Sequence, residues 1–492
     1  MSKERPTSQL VVVSNRRPFT VKSGPDGPIV EKSAGGLVAA VSPLLESMGG
    51  TWIAWDGEDV DRGREGVDSA RTREPAEEVA FCRLVPLRLT QREVGNYYYG
   101  FSNRALWPLC HLFIGRSHFD PEQFRDYVRV NEKFAQATHK VASPKDRIWI
   151  HDYHLALVPE LLRERGSRQG RVGLFWHIPF PPWDVFRALP WSRQILRGML
   201  GADLVGFHLE DYADHFRTSV RKGLGLRQDG KDILMESGRR VKVADFPIGI
   251  DAEKIEGLAR SSSVEKKTRQ IRDRLGAQHL VLGVDRLDYS KGILERLRAL
   301  ERFFERHPER RGRVVFVQIA VPSRARVEEY RAIKREIEEA VGRINGRFTE
   351  DGWVPIRYLY RSLPLNVLIA HYRAADVAMV TPLRDGMNLV AMEYVASQVD
   401  GDGALILSEL AGVAELLPDA LQVNPFDDVA VADMIEKALS EPVEAKRLRM
   451  EAMREEVRDH DVFGWHERFW GAVETLPVQP QARSRLDLLR RK

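Results

Sequence analysis

The chain has 492 residues, 43% hydrophobic and 30% charged, which suits two globular domains and excludes a disordered chain. Its 75 basic and 71 acidic side chains leave a net charge of +4, too near balance to announce a nucleic-acid partner, and no run of about 20 apolar residues offers a membrane span. Cys82 and Cys110 are too few for a disulfide framework or a zinc site, and the start MSKERPTSQL lacks an apolar signal core, so a cytoplasmic setting is expected.

The first predicted strand is Leu10–Ser14 (LVVVS), followed by Ile148–His151 (IWIH), Val172–His177 (VGLFWH) and Leu204–Phe207 (LVGF). In the second half come Leu280–Val284, Val314–Ile319, Val377–Thr381 and Ala404–Ser408. Their apolarity is continuous rather than alternating, as for strands buried on both faces of a parallel sheet. Leu155–Arg165 and Ile293–Glu305 carry helical periodicity between them. The alternation implies an α/β fold repeated in two halves. Pro247 and Gly249 punctuate the chain after Phe246, so the expected domains are 1–248, with the tail 462–492 joined to it, and 249–461. Ligands of open α/β sheets bind beyond the carboxyl ends of the strands.

Five segments carry candidate chemistry. Ser33-Ala-Gly35-Gly36-Leu opens a helix, where paired glycines serve either a tight turn or a phosphate. His151-Asp152-Tyr-His154 follows a strand. Asp152 there is a sugar-binding carboxylate or a helix cap, and a metal is the less favoured use. His177 ends a strand ahead of three prolines, as a structural or a functional histidine. Asp285-Arg286-Leu-Asp288-Tyr-Ser290-Lys291-Gly292 offers two cations to a diphosphate, or a capping loop. Thr381–Glu393 (TPLRDGMNLVAME) reads as a strand end, a polar turn and a helix starting near Met387. Amide groups of Met387, Asn388, Leu389 and Val390 would face an anion there, unless Asp385 simply caps the helix.

These residues resemble the trehalose-6-phosphate synthase family. The likeness runs from Leu10 to about Phe469, through VVVSNR, SAGGL, YYYGFSNRALWP, IWIHDYHL, HIPFP, DRLDYSKG, VPSR, GRINGRF, TPLRDGMNLVAMEY and NPFD. The resemblance implies two Rossmann-like parallel-sheet domains facing a central cleft (the GT-B fold) and a retaining glucosyltransferase moving glucose from UDP-glucose to glucose-6-phosphate. On the donor side it implies that Gly35, Gly36, Arg286 and Lys291 meet the diphosphate and that Leu389 and Val390 add backbone donors. Glu393 would hold the ribose and Leu363 the base, while Asp385, Gly386, Met387 and Asn388 line the glucose. On the acceptor side it implies Arg16, Tyr98, Trp107, Asp152 and Arg324, with Trp55 closing the pocket. Arg16 and Arg324 would clamp the phosphate, a task suited to paired guanidinium hydrogen bonds. Departures are a longer loop over Arg17–Lys32, Tyr99 where the family often has Asn, and Trp176 and Trp183.

The expected mechanism is front-face attack with electrostatic stabilisation of the leaving diphosphate by Arg286 and Lys291. His177 would position the donor sugar. No Asp-X-Asp string directly follows a predicted strand, so neither a metal nor another cofactor is expected. The partners are the two substrates, with a homo-oligomer left open. Competing readings are a glucosylglycerol-phosphate synthase, a non-catalytic sugar-phosphate sensor, and a pyridoxal-phosphate phosphorylase. The last would need a Schiff-base lysine, whereas Lys291 lies in a diphosphate context.

Overall fold

The computed structural model describes residues 9–24, 27–32, 36–60, 77–79, 82–166, 170–324 and 327–476. Two compact units divide the chain, one from Met1–Pro247 together with Trp465–Lys492 and the other Ile248–Gly464.

The first unit contains β1 (Leu10–Arg16), β2 (Phe19–Gly24), β3 (Gly27–Lys32), β4 (Thr51–Val60), β5 (Glu77–Val79) and β6 (Cys82–Thr90). It continues with β7 (Arg147–His151), β8 (Arg171–Phe175), β9 (Leu204–Phe207), β10 (Arg227–Asp229), β11 (Asp232–Leu234) and β12 (Arg240–Asp245). Ten of them form one sheet in the order β10-β11-β12-β9-β8-β7-β1-β4-β6-β5. The segment expected as a long loop after Arg17 instead pairs as an antiparallel hairpin, β2 with β3. From β1 the chain adds β4 and β6 on one side and β7, β8, β9 and β12 on the other, all parallel. The order therefore reverses between β1 and β7, and loops leaving these two strands diverge to open a crevice at their carboxyl ends.

The second unit holds β13 (His279–Arg286), β14 (Val314–Val321), β15 (Ile356–Tyr360), β16 (Val377–Val380), β17 (Ala404–Ser408) and β18 (Leu421–Val423). They are all parallel, in the order β15-β14-β13-β16-β17-β18. This is the Rossmann order, with its reversal between β13 and β16. The α/β expectation thus holds in both units. Strand β13 is buried along Leu280–Asp285 and exposed only at Arg286, so the apolar run ends where the chemistry begins.

One feature of the first unit was not foreseen. Val94–Leu106 is wound as a π-helix, in which Trp107 N–H reaches the carbonyl of Ser102 five residues back. Such stretches are rare and tend to mark functional sites. The helix Val462–Glu474 lies with this unit from Trp465 onward. The rings of Trp465 and Phe469 lie 4.6 and 5.0 Å from that of Trp149 on β7. Gly173 and Gly206 make room for Phe469, since a Cβ on them would stand 2.5 and 2.8 Å from its ring.

Candidate active site

In the second unit the loops leaving β13 and β16 are locked together. Asp288 caps the turn Tyr289–Lys291 by accepting from Ser290 N–H at 3.0 Å. Gly292 follows with φ +65°, and a Cβ there would lie 2.3 Å from the Thr381 carbonyl oxygen, so glycine is required for both reasons. Leu383 N–H donates to the Ser290 carbonyl at 2.8 Å, and Gly412 N–H to that of Asp385 at 3.2 Å. Below the loops lies Arg296, on the helix Ile293–Arg306 and 1% exposed. Its guanidinium donates to Asp285 at 2.5 Å, to Gln318 at 2.9 Å, to Thr381 Oγ1 at 3.0 Å and to the Lys291 carbonyl at 3.4 Å. One buried cation thereby ties β13, β14 and both loops into one register.

Above it, Lys291 Nζ donates to Asp385 Oδ2 at 2.5 Å, and Asn388 Nδ2 donates to the same oxygen at 2.9 Å. Two motifs far apart in sequence therefore meet as an ion pair. The helix expected near Met387 begins instead at Leu389, because Asn388 adopts φ +90°, outside the helical region. Asp385 is consequently not its cap, and Asn388, which precedes the helix, makes no side-chain cap bond. The intrinsically unpaired first-turn amides are those of Leu389 and the residues after it rather than those of Met387 and Asn388. Gly386 and Met387 are buried beside them, and Arg286 is exposed at the strand end.

One turn along that helix, Glu393 Oε2 accepts from the Tyr372 phenol at 2.9 Å. Burial pushes this carboxyl up to about 7, with the Tyr372 hydrogen bond pulling the other way. Below that pH the group takes a proton and loses an acceptor site. If it holds donor hydroxyls, the KM for the nucleotide sugar should rise as pH falls through 7, and Glu393→Gln should abolish that slope. An equal slope in the variant would remove Glu393 from the donor site. Leu363 is half-buried in the loop between β15 and the helix Leu365–Ala374.

In the first unit, the guanidinium of Arg16, at the end of β1, lies 4.7 Å from the Tyr98 ring centroid and 5.7 Å from that of Trp55. Tyr98 is carried by the π-helix, and Trp55 by β4, next to β1. Asp152, just past β7, has φ +76° and accepts from the backbone of Tyr153 at 2.9 Å and of His177 at 3.3 Å. The cap reading of Asp152 is thus real, and its carboxylate also bridges to the β8 loop. His177 pairs with His151 across 3.0 Å, one ring nitrogen donating and the other accepting. Burial, reinforced by His151 and His208, drives the His177 imidazole well below its ordinary value, so the ring is neutral. Trp107 is buried against His111 and Tyr153, a wall behind the site rather than an open stacking face. Gly36 is exposed at the start of the helix Gly36–Met48, and Gly35 lies outside the described residues.

Arg324, expected to clamp the acceptor phosphate, is turned inward. Its side chain is 3% exposed and paired with Asp288 at 2.8 Å. Arg296 was missed altogether, although a signal existed. It falls between Ile293, Leu297 and Leu300 on the apolar stripe of its helix, where a charge needs a buried partner. No group of three or more His, Cys, Asp or Glu side chains is placed to hold a metal ion among the described residues.

Comparison with known proteins gives these features a context. The sequence profile of Glycosyltransferase family 20 matches residues 8–475. A bifunctional trehalose-6-phosphate synthase/phosphatase of Thermoproteus tenax is 45% identical over 93% of this chain, which spans 62% of that relative's length. A trehalose-6-phosphate synthase of Mycolicibacterium smegmatis is 44% identical over 95% of this chain and 92% of its own. A crystal structure of an alpha,alpha-trehalose-phosphate synthase (UDP-forming) from Burkholderia xenovorans, in complex with glucose-6-phosphate, superposes with a TM-score of 0.87. It is 35% identical, with 95% of this chain and all of that one covered.

Proposed function

The chain belongs to glycosyltransferase family 20, and we propose that it transfers glucose from UDP-glucose to glucose-6-phosphate with retention, forming α,α-trehalose 6-phosphate and UDP. The observation that carries this is the pair Lys291–Asp385 at the strand-order reversal of the second sheet, with Arg286 at the same strand end. A cation, a carboxylate and a helix start at one place suit a ligand that joins a diphosphate to a sugar.

In the reaction, the bond between the anomeric carbon and the phosphate oxygen breaks, and UDP leaves with the electron pair. The acceptor's anomeric hydroxyl oxygen bonds to that carbon on the same face, and its proton passes to the departing phosphate. Arg286, Lys291 and the amides of Leu389 and Val390 stabilise the charge on the diphosphate, to which Gly35 and Gly36 are also assigned. Glu393 takes the ribose, Leu363 the base, and Asp385, Gly386, Met387 and Asn388 the glucose. His177, kept neutral by burial, hydrogen-bonds the donor sugar without exchanging a proton. Arg16, Trp55, Tyr98, Trp107, Asp152 and Arg324 receive glucose-6-phosphate. The cations and amides neutralise the diphosphate in this scheme without calling on a metal or another cofactor.

The buried, unpaired thiols Cys82 and Cys110 support a cytoplasmic setting. No described helix is long and apolar enough to cross a membrane. The glycerol-phosphate and sensor alternatives find no support in the relatives compared. The test is an activity matrix of UDP-, GDP- and ADP-glucose against glucose-6-phosphate and glycerol-3-phosphate, with product identification. UDP release and trehalose 6-phosphate are expected from one cell of it. Turnover with glycerol-3-phosphate alone, or with none, would overturn the proposal.

A further inference from the structure

Behind the β13 loop, two side chains converge on one carboxylate oxygen of Asp288. Asp288 Oδ2 accepts from Arg324 Nη1 at 2.8 Å and from the Tyr330 phenol at 2.8 Å. Arg324 Nη1 and the Tyr330 oxygen are also hydrogen-bonded to each other. The guanidinium carbon lies 5.3 Å from the Tyr330 ring centroid. The second carboxylate oxygen is held by Ser290 N–H. Asp288 and Tyr330 are 1% and 2% exposed, so this contact is shielded from water and salt.

We propose that Tyr330 and Asp288 are positioning residues that orient the Arg324 guanidinium for the phosphate of the acceptor and so set the enzyme's affinity for a phosphorylated sugar. This rests on reading Arg324 as an acceptor-phosphate contact. Arg324 stands at φ +45°, a conformation that L side chains adopt only at an energetic cost. Surrounding contacts must therefore hold it, and the bonds to Asp288 and Tyr330 are among them. A guanidinium recognises phosphate through a planar fork, so fixing one terminal nitrogen and one ring face fixes the plane in which the fork lies.

The charge balance points the same way. Burial alone would raise the Asp288 carboxyl, yet Arg324, Arg286 and Lys291 together hold it down to about 2. It is an anion at every working pH, shared between the arginine assigned to the acceptor and the cations assigned to the donor. The Tyr330 phenol is pushed well above its ordinary value by burial, which keeps its proton available to Asp288. Phenylalanine would fill the same space but remove one of the two side-chain donors to Oδ2. Tyr330 lies on the helix Glu328–Phe348, outside every motif that carries the resemblance.

The experiment compares full-length parent, Tyr330→Phe, Asp288→Asn and Arg324→Ala in steady-state kinetics, with inorganic phosphate as a competitive probe against glucose-6-phosphate. One hydrogen bond of about 1–1.5 kcal/mol corresponds to about a fivefold to tenfold effect. Tyr330→Phe should raise both the acceptor KM and the phosphate inhibition constant by that factor, leaving the UDP-glucose KM within about twofold. Asp288→Asn should move the same two constants further. If Tyr330→Phe leaves them unmoved, or shifts donor and acceptor KM together, the positioning role is wrong. If Arg324→Ala leaves phosphate inhibition intact, the assignment of Arg324 itself fails. Thermal melting identifies any variant that fails to fold, and the conservative Tyr330→Phe decides the matter if Asp288→Asn does.

Discussion

Lys291→Ala should lower kcat by about a hundredfold to a thousandfold, the range seen when one preorganised donor to developing charge is removed. The lysine bonds directly to Asp385 at 2.5 Å, and it stands beside the start of the helix Leu389–Ser397. Its loss acts twice, because the diphosphate loses a cation and Asp385 loses a charged donor, while Asn388 still donates to it. Arg286→Ala should impair turnover comparably but with less effect on stability, since Arg286 is exposed at the end of β13. The coupling is testable. Asp385→Asn combined with Lys291→Ala should cost less than the sum of the two single changes, as groups acting as one unit do. Turnover within a few-fold of the parent for Lys291→Ala and Arg286→Ala would dismiss the proposed leaving-group site.

Arg296 gives the largest expected effect on stability. Arg296→Met leaves Asp285 buried without its cation, which costs about 3–5 kcal/mol when one partner of a buried pair is removed. The double change Asp285→Leu with Arg296→Met should recover much of that loss, because a well-packed apolar pair can match a buried ion pair. Donor KM should not recover with it. Thr381 Oγ1 and the Lys291 carbonyl would still lack the guanidinium that now holds both. Urea unfolding and steady-state kinetics on the same preparations separate the two effects. A single variant within about 1 kcal/mol of the parent would show that the pair contributes little to holding the loops.

Much of the fold was legible because parallel strands buried on both faces announce themselves as apolar runs. Leu10–Ser14 and Val314–Ile319 were readable for that reason. β6 was not, because Cys82–Thr90 carries arginines and a proline and is only partly buried. The π-helix had no signature that propensity could reveal. At the site, the carboxyl-end rule located Arg286, Lys291, Asp385 and Asp152, since each follows a strand that could be read. It gave neither pairings nor partners. The Lys291–Asp385 bond, the inward turn of Arg324 and the His151–His177 contact depend on distances between loops that are remote in sequence. The helix starting at Leu389 rather than Met387 depends on a left-handed Asn388, a conformation asparagine tolerates but does not advertise.

The helix Val462–Glu474 also bears on how the protein is made. A chain growing on the ribosome completes its domains in the order they emerge, as a rule from the amino end. Here the first unit waits for residues translated after the whole of the second. Until Trp465 and Phe469 leave the exit tunnel, Trp149 and the hollows over Gly173 and Gly206 have no cover. A nascent chain halted before Trp465 should therefore leave this aromatic surface exposed, and commitment of the first unit to its native state waits for the helix that follows the second unit.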